Sequence, residues 1–313
     1  MNVFFKIAFI VYFLFALYFV KAETKQDSNF IVFDNKYTVM PYFTASKLSL
    51  DLRGKYKISY RPDKGRDVGL YVAYKKIGFG FGFGVFDDWV KESEDKVRFY
   101  DFRLNYYGRR IGAIGQFQFY KSFKVEEDIE TTKDTTIYQS RPNQKLNSIG
   151  ISAYYNFNKE HSFKAVYSQT ERQLNSNGAF LLGLSQTYTY LQADNSYFSA
   201  LDNNIDYRYT KLLSVIPIVG YQYTFIYKRY YIAPLFLIGA GVQFQKYKGQ
   251  QGIIGTNRAI VEKYILNIPL GYNGDKFFYG FIFKEDYSNS KLETLGIHFN
   301  LLSYSFFVGV RIF

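Results

Sequence analysis

Polar and apolar residues alternate one by one along most of this chain. In the segment 47–60, Leu50 and Leu52 fall on one face, whereas Asp51 and Arg53 fall on the other. Successive side chains of a β-strand point to opposite sides, so this period of two predicts strands with one apolar and one polar face. No later segment keeps its apolar residues at helical spacing over several turns. The pattern therefore predicts an all-β protein.

The alternating segments are numerous enough to form a closed barrel. They cover residues 47–60, 67–75, 77–87, 96–107, 110–121, 147–158, 161–172, 215–228, 230–247, 258–272, 276–286 and 302–313. Short connections, such as 107–110, alternate with long ones, such as 122–146, as in barrels whose short turns face the periplasm. We therefore predict a transmembrane antiparallel β-barrel of about twelve strands, with ten and fourteen as limits.

One stretch, residues 173–214, does not fit the up-and-down order of strands. Because strands of such a barrel alternate in direction, this stretch can contain either no membrane strand or two. We expect twelve strands, with residues 173–214 folded into or over the lumen as a plug or cap. The alternative is fourteen strands, with residues 179–191 as one of the additional two.

The amino terminus has the composition of an export signal. Lys6 precedes an apolar run at residues 7–20, and Ala22 is a small residue suited to cleavage. The run is too short for a spanning helix, and the chain has no cysteine to carry a lipid anchor or a disulfide. We predict a cleaved signal peptide at 1–22, a periplasmic segment at 23–46 and the barrel at 47–313.

Composition and charge agree with a barrel in the outer membrane. Aromatic residues make up 21% of the chain, with 32 Tyr and 33 Phe, and a lipid-facing wall with aromatic rims can use that many. The formal charge of +12 would suit nucleic acid, but export removes that partner. We expect outer-membrane lipid and lipopolysaccharide as partners. We also expect the barrel-assembly machinery to recognise Phe313 at the end of the last strand.

Four glycines in the segment 77–87 alternate with apolar residues, at positions 78, 80, 82 and 84. In a strand they would form a bare stripe of backbone on the lumenal face. One hypothesis is that a lumenal segment packs there, with residues 173–214 as the candidate. The other is that the glycines let the wall bend.

Charged residues on the polar faces of two strands are expected inside the lumen. They are Asp51, Arg53, Asp101 and Arg103. Such groups usually pair with one another in a narrow lumen, although they would also suit a conducting pathway. The width of a barrel of about twelve strands does not decide between these roles.

We expect no catalytic site, no cofactor and no metal site. His298 is the one candidate, because Asp286, Ser303 and Ser305 lie near it in sequence. A Ser-His-acid arrangement requires the three groups to meet in space, which proximity in sequence does not provide. The acidic clusters at 87–88 and 126–128 lack the spacing of a calcium loop.

Five phrases of the sequence carry a family resemblance. They are YRPDKGRDVGLYVAYKKIGFGFGF, QFQFYKSF, FNKEHSFKAVYSQTERQLNSNGAFLLG, GYQYTFIYKRYYIAPLFLIGAG and the terminal FFVGVRIF. Together they resemble an uncharacterised family of outer-membrane barrels, the domain-of-unknown-function family DUF4421. The third phrase is the most specific, and its motif residues are Gln173, Ser176, Gly178, Phe180, Leu181, Leu182 and Gly183. The resemblance implies a barrel and supplies no activity.

Three classes of function remain open from the sequence. The first is a non-enzymatic barrel that serves the passage of small solutes or the organisation of the envelope. The second is a surface enzyme that modifies lipid or cleaves protein, which requires His298 or another outward polar cluster to act. The third is ligand binding at the cell surface through the long loops.

Overall fold

The chain folds into a closed antiparallel β-barrel of twelve strands. The computed structural model describes residues 24–26, 29–34, 36–53, 57–62, 66–85, 98–128, 137–192, 209–248, 254–292 and 295–313. The predicted signal peptide lies outside these ranges. Within them, no helix is long and apolar enough to cross a membrane.

Twelve strands make up the wall within the described ranges. They are β3 Tyr37–Arg53, β5 Arg66–Tyr74, β6 Ile77–Gly84, β7 Arg98–Tyr107, β8 Ile111–Asp128, β9 Ile137–Asn156, β11 Asn177–Gln192, β12 Tyr209–Tyr227, β14 Leu235–Lys248, β15 Ile254–Asn273, β16 Phe277–Leu292 and β17 Leu295–Ile312. The shorter strands are β1 Thr24–Gln26, β2 Phe30–Phe33, β4 Lys57–Pro62, β10 Glu171–Gln173 and β13 Tyr230–Ile232. β17 pairs with β3 and β11 pairs with β12, so the sheet closes on itself and has no free edge.

Two of the short strands modify this wall. β13 and β14 both pair with β12 on one side and with β15 on the other. Ala233 and Pro234 are the residues that separate β13 from β14. Because Pro234 has no N–H to donate, the ladder is interrupted there, and β13 and β14 form one wall strand. β4 lies between β3 and β8, where it extends the wall beyond the shorter strands β5, β6 and β7.

The two ends of the barrel differ. Short turns at 75–76, 108–110, 228–229 and 274–276 lie at one end, which we call the periplasmic end because short turns face the periplasm in such barrels. At the extracellular end, the strands continue into the predicted long connections. β8 and β9 extend into 122–146, and β16 and β17 occupy most of 287–301. The wall therefore continues where the sequence predicted loops.

A belt of exposed apolar side chains surrounds the outside of the wall. Phe180, Leu182, Phe236, Ile238 and Phe306 are each about half exposed or more. Such a belt would be unfavourable in water, whereas it matches the lipid-facing surface of a membrane barrel.

The described part of the barrel contains one apolar cluster at the extracellular end and three toward the periplasmic end, with a polar zone between them. The cluster at the extracellular end, which we call the collar, consists of Leu48, Leu50, Leu52, Tyr60, Phe99, Tyr120, Phe123, Leu146, Leu191, Leu212, Tyr247, Leu292, Leu295, Ile297 and Leu301. One of the three clusters toward the periplasmic end includes Tyr107, Tyr154 and Phe163.

The collar corrects the prediction that Asp51 and Arg53 are lumenal. Leu50 and Leu52 are buried and line the lumen, so the alternating residues of β3 face outward. Arg53 is more than half exposed, and Asp51 lies 3.8 Å from it. The physical reason is that this part of β3 lies beyond the apolar belt, where the outer face meets water and the inner face packs.

Residues 161–176 form a compact segment at the periplasmic end of the lumen, which we call the plug. It contains one turn of π-helix, Lys164–Ser168, followed by β10. β10 pairs with β2, and β2 pairs with β1, in a separate three-stranded sheet.

The plug overturns three sequence predictions. The alternating segment 161–172 is not a wall strand, because its side chains are buried on all sides within the lumen. Most of the described part of 173–214 is not a plug, because β11 and the start of β12 belong to the wall. Residues 193–208 lie outside the described residues. The domain boundary at residue 46 was also wrong, since β3 begins at Tyr37. One predicted strand is lost and another gained, so the number of strands stays at twelve.

Candidate lumenal binding site

A cavity of about 310 Å³ lies in the lumen between the collar and the plug. Its middle zone is rich in small hydroxyl side chains from six strands: Thr44, Ser46, Ser148, Ser152, Ser185, Thr187, Ser214, Ser288, Ser290, Ser303 and Ser305. Several of them bond to one another across strands, as Ser152 does to Ser185 at 3.0 Å. Because these side chains are small and polar, they leave space and can bind a polar ligand or water.

Two groups of paired charges also line the cavity. On β7, the Arg103 guanidinium contacts the Asp101 carboxylate at 2.6 Å. On β15 and β16, the ammonium of Lys263 pairs with Asp286. Lys284 lies 4.0 Å from the same carboxylate, which is too long for a hydrogen bond. Lys284 therefore lines the cavity without a hydrogen bond to Asp286.

Buried acceptors accompany these cations. Asp67 Oδ2, Asp101 Oδ1 and Asn105 Oδ1 have no hydrogen-bond partner among the described residues. A buried polar atom without a partner costs free energy unless water or a ligand satisfies it. The polar zone is therefore suited to hold a hydroxyl or another donor group.

The glycine stripe on β6 is covered by side chains from the wall. Any Cβ added to Gly78 would lie 1.8 Å from the Tyr71 hydroxyl, and one added to Gly82 would lie 2.7 Å from the Tyr42 hydroxyl. The glycines thus make room for two tyrosines of β5 and β3. The described strands within 173–214, β11 and the start of β12, lie in the wall and do not pack on this stripe.

Aromatic rings hold the plug against the lower wall. Tyr167 stacks on Tyr107 at 5.7 Å, and Phe163 packs against Tyr154 at the same distance. The Tyr167 hydroxyl accepts a hydrogen bond of 2.9 Å from Gln222, and burial raises the pKa of this hydroxyl. Tyr167 also lines the cavity, so it forms part of the cavity floor.

Arg311 on β17 binds the plug and the adjacent turn together. Its side chain is fully buried. Nε donates to the Gln169 carbonyl at 2.7 Å, and Nη2 donates to Asn273 Oδ1 at 2.5 Å. The guanidinium also lies 3.7 Å from the centre of the Phe33 ring. This planar, multidentate contact is one that lysine could not replace.

Buried polar contacts complete the attachment of the plug. The Lys164 ammonium pairs with Glu171 within the plug, and Ser162 Oγ donates to the same carboxylate at 2.6 Å. Asn273 donates to the Glu171 carbonyl at 2.9 Å. Gln169 has a left-handed backbone with φ of 56°, a conformation that a non-glycine residue keeps only when its surroundings impose it.

The family motif forms the junction between the plug and β11. Gln173 accepts a hydrogen bond from the Ser162 N–H at 3.1 Å, and Ser176 accepts one from the Ile226 N–H at 2.9 Å. At the start of β11, Gly178, Phe180, Leu181, Leu182 and Gly183 follow the strand alternation, with Leu181 buried inside and Phe180 and Leu182 exposed outside. Phe313 directly follows β17.

The structure does not bring the candidate catalytic residues together. Asp286, Ser303 and Ser305 line the cavity, whereas His298 alternates with Ile297 and Phe299 and faces outward. His298 Nδ1 instead lies 2.9 Å from the Tyr287 hydroxyl. Within the described ranges, no group of three or more His, Cys, Asp or Glu residues could hold a metal ion.

The acidic cluster at 87–88 and the side chains at 126–128 lie outside the described residues. The tips of the loops that would bind a surface ligand lie outside them as well. The plug residues were not identified from sequence, because their alternation imitates a strand. Only the turn signal FNKE at 157–160 preceded them.

The fold and the apolar belt define a β-barrel of the outer-membrane class. The sequence matches the family described as Domain of unknown function (DUF4421) over residues 25–312. The chain therefore belongs to this uncharacterised family. No curated protein matches it.

Solved structures with a similar fold include several barrels. The outer membrane protease OmpT from Escherichia coli is 8% identical, with a TM-score of 0.46 over 95% of this chain and 100% of its own. The translocator domain of the autotransporter NalP from Neisseria meningitidis is 13% identical, with a TM-score of 0.35 over 88% of each chain. The TodX monoaromatic hydrocarbon channel is 6% identical, with a TM-score of 0.32 over 89% and 91%. These likenesses concern the fold and carry no activity to this chain.

Proposed function

We propose that this protein is a non-enzymatic outer-membrane barrel, exported by its amino-terminal signal peptide, that takes a small amphipathic solute into its lumen. The observation that carries this proposal is the cavity between the apolar collar and the plug. Its volume of about 310 Å³ lies at the lower end of small-molecule sites, which measure roughly 300–1,000 Å³. A site of this size suits one small molecule.

The distribution of side chains around the cavity favours a solute with one apolar and one polar part. Leu295 and Leu301 offer apolar contact at the collar, so an alkyl or aromatic group would be removed from water there. Arg103 and Lys284 offer cationic donors in the polar zone. An anionic or hydroxyl head group would meet these donors, and charged hydrogen bonds of this kind are the stronger ones.

The plug gives the site a closed floor on the periplasmic side. Passage would therefore require the plug to move, whereas binding would not. Many of the contacts that hold it are hydrogen bonds and ion pairs, such as those of Arg311 with Gln169 and of Arg172 with Asp275. Contacts of this kind can exchange for water when the segment shifts.

A fluorescent naphthalene sulfonate tests the proposal, because it joins an aromatic body to an anionic head. We expect it to bind the folded barrel in nanodiscs. Lys284→Met should weaken binding by roughly tenfold or more, the effect of losing one charged hydrogen bond. Lys211→Met is the matched control. Lys211 is exposed on the outer face of β12, so binding should stay unchanged.

Two results would contradict the proposal. The first is equal binding by the wild type and the Lys284→Met variant. The second is dye bound to the outer belt alone, in which case Lys211→Met and Lys284→Met would change the affinity to the same extent.

A further inference from the structure

The outer face of four adjacent strands changes from apolar to polar within two rows of residues. The strands are β15, β16, β17 and β3, and their register aligns outward residues in rows. One row reads Ile268, Phe283, Tyr304 and Ala45. The next row reads Leu266, Glu285, Leu302 and Lys47, and the one beyond it reads Tyr264, Tyr287, Asn300 and Ser49.

This change marks the extracellular boundary of the lipid-facing belt. Successive outward residues on a strand are about 6.8 Å apart, and a strand tilted by about 40° rises roughly 5 Å per row. The row of Tyr287 and Asn300 therefore lies within about 10 Å of the last wholly apolar row. That is the level of lipid head groups, not of acyl chains.

At this level the outward side chains form a connected group, which we call the wall patch: Tyr264, Glu285, Tyr287, His298 and Asn300. Both the Tyr264 hydroxyl at 3.0 Å and the Asn300 amide at 3.3 Å donate to Glu285 Oε1. The rings of Tyr264 and Tyr287 stack at 5.1 Å with 24° between their planes. The Tyr287 hydroxyl in turn lies 2.9 Å from His298 Nδ1.

One atom of the wall patch lacks a partner. Asn300 Oδ1 is buried and accepts no hydrogen bond from the described residues. A buried acceptor of this kind is expected to meet a donor from water or a ligand. The contacts within the patch fix its geometry, and they leave this acceptor unsatisfied.

We propose that the wall patch binds the core saccharide of lipopolysaccharide in the outer leaflet, that is, the sugars attached beyond lipid A. Sugars combine hydroxyl groups, which donate and accept, with apolar C–H faces. Glu285 and Asn300 match the hydroxyl groups, and the tyrosine pair offers aromatic faces to the C–H surface. A sugar attached to a membrane lipid would be held at the level where these residues lie.

The charges of the patch favour a sugar over a phosphate group. Glu285 belongs to the patch, and Asp51 is paired with His298 across β3 and β17. Arg53 lies 3.8 Å from Asp51 and offsets its charge, so the charge that the patch itself presents is the Glu285 carboxylate. This carboxylate would repel a phosphate, whereas it accepts hydrogen bonds from sugar hydroxyls. The patch lies on the outside of the wall, so this inference is independent of the lumenal function.

Binding of purified lipopolysaccharide to the folded barrel in detergent tests the inference. We expect rough lipopolysaccharide, which carries core sugars, to bind the wild type. The double variant Glu285→Gln and Tyr287→Ala should weaken binding by about tenfold, which corresponds to roughly 1.4 kcal/mol. Tyr188→Ala is the matched control, because Tyr188 is an exposed tyrosine on the outer face of β11. A heat-modifiable gel shift verifies that each variant is folded.

Two further ligands distinguish binding through the core sugars from binding through lipid A. Free core oligosaccharide should bind more weakly than rough lipopolysaccharide and should compete with it, because only the lipid-linked sugar is held at the membrane surface. Lipid A without core sugars should bind both the wild type and the double variant equally. Equal affinity of the wild type for lipid A and for rough lipopolysaccharide would overturn the inference. Full binding by the double variant would overturn it as well.

Discussion

At the scale of single residues, His161 links the plug to the wall through a buried imidazole. The residue is 1% exposed, and Nε2 lies 3.0 Å from Thr224 Oγ1. Nδ1 has no partner among the described residues, so a proton added there would be buried without compensation. Burial accordingly lowers the pKa of His161 from 6.5 to about 4.

This shift predicts that acid weakens the plug. His161 binds a proton less readily in the folded state than in the unfolded state. The contribution of the neutral imidazole to the free energy of unfolding is therefore complete above pH 6.5 and is lost as the pH falls toward 4. Between pH 7.5 and 4.5 the loss should be roughly 2 to 3 kcal/mol, at about 1.36 kcal/mol per pH unit below 6.5. Guanidinium unfolding of the barrel in detergent at the two pH values measures it.

His161→Asn separates this residue from the other titrating groups. Asparagine keeps a polar contact for Thr224 and does not titrate, so the variant should show a smaller loss of stability in acid than the wild type. His298→Asn is the control, since His298 is on the outer face and outside the plug. Identical pH profiles for the wild type and His161→Asn would rule out the role of this imidazole.

At the scale of elements, β3 shows what alternation predicts and what it leaves undetermined. The period of two correctly predicts a strand through Leu48, Leu50 and Leu52. It does not say which face is inside, because the rule that apolar residues face lipid holds only within the bilayer. Beyond the belt the wall meets water, so the leucines turn inward and pack as the collar.

Cysteine labelling tests this assignment in a chain that has no native cysteine. We expect Asp51→Cys to react readily with a charged maleimide, because residue 51 faces outward beyond the belt. Leu50→Cys should react at least about tenfold more slowly, because the reagent does not reach a buried thiol and burial disfavours the reactive thiolate form. After denaturation the two thiols should react at the same rate. Faster labelling at position 50 in the folded barrel would reverse the proposed facing.

The plug shows where alternation fails as a predictor. His161, Phe163, Ala165 and Tyr167 have the spacing of one face of a strand. In the structure, Val166 and Ser168 between them are buried too, because the segment is surrounded by the lumen. A pattern with two faces predicts an element at a boundary between two environments, and the plug lies at no such boundary.

At the scale of the whole molecule, the number of strands was predictable because the alternating segments could be counted and bacterial outer-membrane barrels have an even number of strands. Residues 161–172 left the wall, and β11 entered it at the place of the alternative strand 179–191, so the count did not change. What could not be predicted was the site, since the cavity depends on which face of each strand is inside. The plug is held in the barrel by contacts with the wall such as Tyr167 with Gln222, by β2 and by Arg311.

This attachment leads to a prediction about a chain that begins at Lys36. It lacks β1 and β2, so β10 loses its partner strand and Arg311 loses the ring of Phe33. Barrel closure through β3 and β17 does not involve these residues, so the heat-modifiable gel shift should persist. The plug should be destabilised by about 2 kcal/mol, the sum expected for one cation–π contact and a few hydrogen bonds.

The consequence is measurable as passage of the naphthalene sulfonate into liposomes. A loss of this size raises the population of an open plug by roughly tenfold or more, and the uptake rate should rise in proportion. Arg311→Met in the full chain should give an increase at least as large, because it removes the contact with Phe33 together with the hydrogen bond to the Gln169 carbonyl. Arg110→Met is the control, since Arg110 is exposed at the same end and contacts only Tyr155 and Phe157 on the surface. Uptake that stays at the wild-type rate in both the shortened chain and Arg311→Met would mean that the plug does not limit passage, and the route would then have to be limited at the collar.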